Sequence, residues 1–111
     1  MSWSLWVYGS RQPDTAELMR LAEGVPGLRA EMSGPVVQGW DGDSPQFEAN
    51  PARTVDPQDL PPGVELEAPD LWVVEVCTKT WVGEVDMAQE FAELLAEAMS
   101  GAMYDDASSQ I

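Results

Sequence analysis

With 111 residues the chain has room for one hydrophobic core but not two. Twenty Asp and Glu stand against five Lys and Arg, a formal net charge of −15, and a field of that sign repels phosphate backbones and disfavours direct nucleic-acid binding. There is no His, which removes Ser-His-Asp, Cys-His and imidazole–metal chemistry, and Cys77 is the only cysteine, which removes any internal disulfide.

The hydrophobic fraction of 44% and five Trp are those of a folded protein and not of a disordered one. No apolar run approaches the roughly 20 residues of a membrane span. The opening Met1-Ser2 begins no basic, apolar, small-residue export pattern, so a cytoplasmic location is expected. The charge is uneven. Residues 1–53 hold seven acids and four Arg, whereas residues 54–111 hold thirteen acids and Lys79 alone.

In chain order, residues 2–8 place Trp3, Leu5 and Val7 on one side and Ser2, Ser4, Trp6 and Tyr8 on the other, a strand ended by Gly9. Pro13 and the capping-box pattern Asp14-Thr15-Ala16-Glu17 open a helix, with Leu18, Leu21, Ala22 and Val25 on one face and Gly24 at its end. Leu28, Ala30 and Met32 alternate with Arg29 and Glu31, a half-buried strand that resumes through Val36-Val37. Residues 40–69 hold six of the nine prolines and read as a long Pro-rich loop, with a short strand conceivable at residues 46–48. Residues 71–81 form the strongest strand, Trp72, Val74 and Val76 facing one way and Leu71, Val73, Glu75 and Cys77 the other. Cys77, with no neighbouring His, reads as a small sheet residue and not as a nucleophile.

Residues 84–99 form the strongest helix, with an apolar stripe of Met87, Ala88, Phe91, Leu94, Leu95 and Ala98. Gly101 ends it, residues 102–104 add a short strand, and residues 105–111 form a polar tail. This order predicts one α+β domain over residues 1–111, a ferredoxin-like βαββαβ sandwich with an antiparallel sheet and two helices on one face. Its first and third strands, the central pair in that fold, are the most apolar here.

No Gly-rich phosphate loop is present, and no pair among the 20 acids is singled out for acid–base work, so neither an enzyme nor a cofactor is expected. Asp41-Gly42-Asp43-Ser44 has the look of a calcium-loop fragment. Its twelfth position is Ala52 where the loop needs a bidentate Glu, so a turn is the better reading, and no metal is expected. Asp86, Glu90, Glu93 and Glu97 recur at spacings of four, three and four and form one acidic stripe, with no Lys or Arg in residues 80–111 to pair with it. That stripe is either an ordinary solvated face or a docking surface for a basic protein, aided by Trp40, Asp41 and Asp43. Trp6 and Tyr8 fall on the sheet face away from the helices, which is a partner interface, a homodimer sheet or a surface covered by the 40–69 loop.

The stretch Glu93-Leu94-Leu95-Ala96-Glu97-Ala98-Met99-Ser100-Gly101-Ala102-Met103-Tyr104-Asp105-Asp106 resembles the helix–Gly–strand ending of small acidic bacterial immunity proteins, which neutralise polymorphic toxins. It covers the last third of the chain. The resemblance implies a cytoplasmic location and a cognate toxin held through acidic residues, and it assigns no individual residue. The expected function is occlusion of a basic protein partner, a toxin or another nucleic-acid-directed enzyme; a DNA mimic that blocks a defence complex belongs to the same physical class. The alternatives are a small-molecule module with a pocket of Trp6, Tyr8 and Trp40, or a homo-oligomeric structural module joined through the aromatic face.

Overall fold

The computed structural model describes residues 4–78 and 86–105. In chain order these form β1 (Ser4–Gly9), α1 (Thr15–Glu23), β2 (Arg29–Ser33), β3 (Val36–Asp41), β4 (Ser44–Ala49), β5 (Arg53–Val55), a 3₁₀ turn (Pro57–Asp59), β6 (Leu71–Thr78), α2 (Asp86–Ala98) and β7 (Ala102–Asp105). The strands make one antiparallel sheet in the order β2-β3-β4-β6-β1-β7, with β5 also on β6. β4 and β5 occupy successive stretches of β6: residues 47–49 pair with 76–78, and residues 53–55 with 71–73. Pro51, which has no N–H for the ladder, falls in the break between them.

Alternation along β1 and β6 divides the sheet into two faces. Leu5, Val7, Val74 and Val76 turn toward the helices and join Leu18, Ala22, Phe91, Leu95 and Met99 in the main core. Phe47 of β4 stacks on Phe91 of α2, ring centroids 4.5 Å apart. Gly39 makes room for that stack, because a Cβ there would come within 2.5 Å of the Phe47 ring. Burying each such ring stabilises the fold by about 1.5–3 kcal/mol. The core therefore joins both helices to the sheet face formed by β1, β3, β4 and β6.

Local chemistry fixes the ends of the elements. Asp14 caps α1, its carboxylate accepting from the Glu17 backbone N–H at 2.8 Å, and Gly24 caps the other end. At the end of α2 the Gly101 N–H reaches the Ala96 carbonyl at 2.9 Å, with Ser100 in the left-handed region at φ 56°. Arg11 approaches the same end from outside the helix, donating to the Ala98 carbonyl at 3.0 Å while pairing with Glu17. The two hairpins β2–β3 and β3–β4 each turn through two residues, and the first of the two is a glycine at φ +61° (Gly34 and Gly42). Glycine is what a II′ turn requires there.

The α+β class, the antiparallel sheet and the two helices agree with expectation. The simpler six-element order does not, because the sheet has seven strands. Residues 28–37 form a hairpin of two strands and not one interrupted strand, and Met32 is 53% exposed because β2 lies at the sheet edge. Residues 40–69 are not a long loop: the end of β3, β4, β5 and the 3₁₀ turn occupy residues 40–59. Pro51 separates β4 from β5, Pro57 opens the 3₁₀ turn, and Pro61, Pro62 and Pro69 lie between that turn and β6, so a proline count over thirty residues conceals the short strands. Pro45 lies inside β4, at its second residue, beside an irregular register between Gly39 and Trp40. α2 is described from Asp86, β6 to Thr78, and β7 reaches Asp105; Trp3, residues 79–85 and the tail from Asp106 lie outside the described residues.

Candidate functional site

The acidic stripe lies on the outer side of α2. Ala88, Phe91, Ala92, Leu95 and Met99 are buried in the core, which turns Glu90, Glu93 and Glu97 to the exposed side. Leu94, read from the sequence as part of the apolar stripe, is 36% exposed and stands among the acids, four residues after Glu90 and three before Glu97. These four side chains, with Gly24 and Pro26 beyond the end of α1, line a groove of about 300 Å³. None of the three carboxylates forms an ion pair among the described residues; Glu93 accepts only a 3.4 Å hydrogen bond from Gln89 Nε2. Asp86 begins the helix. The groove is thus an apolar spot inside unneutralised negative charge.

Trp40, Asp41 and Asp43 are not part of this groove. They sit in the β3–β4 hairpin, Asp41 and Asp43 exposed at its turn. Trp40 is half-buried and engaged within the hairpins: the Arg29 guanidinium lies 5.7 Å from its ring centroid and also donates to the Gly42 carbonyl at 3.2 Å. Arg29 pairs in addition with Glu31. The Trp40 indole N–H is buried with no hydrogen-bond partner among the described residues.

The helix-free face of the sheet has two halves. Toward Thr78 it is polar. Ser4 Oγ donates to Glu75 Oε2 at 2.7 Å, Asn50 Nδ2 donates to Glu75 Oε1 at 3.3 Å, and Gln38 Nε2 donates to Glu48 at 3.3 Å. Cys77 lies in this half, 3.9 Å from Ser4 Oγ. Burial raises its thiol pKa above the ordinary 9.0, with the nearby Ser4 hydroxyl working the other way, so the thiol is protonated near neutral pH.

Toward Leu71 the face is apolar, and here Tyr8, Val73 and Val64 form a second cluster with Trp6, Val55, Leu60, Leu66 and Tyr104 packed against it. Of the three coverings open to the aromatic face, the chain's own segment 55–66 covers Tyr8, which is 8% exposed. Trp6 is half-buried at the border of a second cavity of about 390 Å³, lined also by Tyr8, Val73, Arg53, Thr54, Val55, Asp56 and Asp59. Trp6 and Tyr8 are therefore brought together as expected, but Trp40 is absent from that cavity. Arg53, Asp56 and Asp59 were hidden from sequence reasoning because they lie between prolines in a stretch read as loop. Their signal was Arg53 itself, one of only five cations in the chain. Comparison with known proteins gives no match: no family model, no curated protein and no solved structure matches the chain.

Proposed function

We propose that the chain is an acidic binding protein that occludes a basic protein partner through the outer side of α2, in the manner of an immunity protein or inhibitor. One observation carries this reading: Glu90, Glu93 and Glu97 surround the exposed Leu94 in a groove, with no cation among the described residues to neutralise them. A purely solvated surface is commonly a mixture of both signs. Unpaired carboxylates steer a cationic partner toward the helix and set the orientation of docking, while an apolar contact at the centre of the patch, shielded by a charged rim, adds affinity. A toxin or other nucleic-acid-directed protein, with a cationic surface made for phosphates, is the class of partner that fits.

The finer fold reading belongs with this proposal. β1 and β6 are adjacent inside the sheet, β7 flanks β1 and the β4/β5 line flanks β6. That arrangement supports a ferredoxin-like core into which the β2–β3 hairpin is inserted as an extension of the edge.

The test compares tagged wild-type protein with Glu90→Lys/Glu93→Lys as bait in lysate of the native host, eluting with a salt gradient. The wild type is expected to retain a basic partner released only at high salt, and the double variant to lose it. A partner retained equally by both proteins, at the same elution salt, contradicts the assignment to α2.

A further inference from the structure

We propose that the cavity on the helix-free face binds a zwitterionic small molecule, an α-amino acid with an aromatic or large apolar side chain. This site is separate from the α2 groove and does not depend on that reading, since the two lie on opposite sides of the sheet.

The floor of the cavity is Trp6, Tyr8 and Val73, of which Tyr8 and Val73 are 8% and 2% exposed and fixed in the second apolar cluster. The wall comes from β5 and the 3₁₀ turn, which contribute Arg53, Asp56 and Asp59. Arg53 forms no ion pair among the described residues, although two carboxylates border the same cavity and the chain carries −15 overall. Arg11 and Arg29 are paired with Glu17 and Glu31, while Arg20, like Arg53, has no ion pair among the described residues.

Arg53 stands on β5 and the two carboxylates in the segment that follows it, all three exposed at the cavity. Arg53 is opposite Val73 in the β5–β6 register, while Asp56 and Asp59 are fixed by the turn, where the Asp59 N–H donates to the Asp56 carbonyl at 2.9 Å. A cation and two carboxylates that do not pair with one another, around an aromatic floor, complement a ligand that carries both charges on an apolar body. The α-carboxylate meets Arg53, the α-ammonium meets Asp56 or Asp59, and the side chain stacks on Trp6. A simple anion is disfavoured by the two carboxylates and the overall charge, and a simple cation by Arg53. The volume of about 390 Å³ lies within the roughly 300–1,000 Å³ of small-molecule sites.

The experiment titrates the full chain calorimetrically with L-phenylalanine, phenylacetate and phenethylamine, the last two each lacking one of the charges. L-Phenylalanine is expected to bind saturably and more tightly than either. Arg53→Gln is expected to weaken L-phenylalanine by about tenfold or more, the scale of one lost charge-assisted hydrogen bond, and to weaken phenylacetate but not phenethylamine. Asp56→Asn/Asp59→Asn is expected to give the opposite pattern. Two results overturn the proposal: no saturable binding of L-phenylalanine, L-tryptophan or L-leucine, or variants that weaken all three probes alike. Where a variant folds poorly, the Trp6 indole resonance of the wild-type protein decides, because added L-phenylalanine must shift it and an unmoved signal overturns the site.

Discussion

α1 and α2 pack on the same face of one sheet and contribute to one core, yet they use their charges in opposite ways. At the start of α1 the acids serve the fold, while Glu23 at its end has no ion pair among the described residues. Asp14 caps the first turn, Glu17 holds Arg11, and Arg20 lies in the last turn, where the helix dipole favours a cation. On α2 Glu90, Glu93 and Glu97 pair with no cation among the described residues, and Glu97 lies in the last turn, where the dipole disfavours it. Arg11, borrowed from the chain before α1, satisfies the Ala98 carbonyl at that end, and its own guanidinium pKa is raised by the hydrogen bond to Glu17. Glu90, Glu93 and Glu97 thus stand together on one side of α2 with no cation among the described residues to pair with them.

Substitutions on the two helices break or sharpen this contrast. The largest effect is expected at Phe91, whose ring is fully buried against Phe47: Phe91→Ala should destabilise the protein by about 3–5 kcal/mol in chemical denaturation. A much smaller loss would mean that α2 is not held by its inner side. Asp14→Ala should follow with a loss of about 1 kcal/mol, through the cap that its carboxylate provides. Smallest, and of the opposite sign, is the combined Glu90→Gln/Glu93→Gln/Glu97→Gln change, which should leave the Tm equal to or slightly above the wild type by removing like-charge repulsion. A clear fall in Tm for that variant would give the α2 acids a structural role and erase the contrast with α1.

Much of the scaffold was legible in the sequence for a physical reason. In β1 and β6 both the buried and the opposite face follow the two-residue period, and in α2 Ala88, Phe91 and Leu95 follow the helical one. Of β4 only a short strand at residues 46–48 was legible, and β5 was not. β5 has three residues and is a strand because β6 offers it a ladder, while β4 is held between the ladders of β3 and β6. The exposure of Leu94 was within reach, since its spacing from Glu90 and Glu97 puts it on the acidic side. The contact of Trp40 with Arg29 was not legible, because it depends on the β2–β3 register, which the interrupted-strand reading did not contain. The charged wall around Arg53 was equally invisible, because it exists only once β5 pairs with β6.

The central claim is that the outer side of α2 docks a basic protein, and it is tested most directly by the salt dependence of that association. The partner recovered with wild-type bait should be titrated, at low and at high salt, into the wild type and into the Glu90→Gln/Glu93→Gln/Glu97→Gln variant. The account predicts tight binding by the wild type that weakens steeply with salt, and for the variant an affinity at least about tenfold lower with a shallower salt slope. The same affinity and the same slope in both proteins would contradict it.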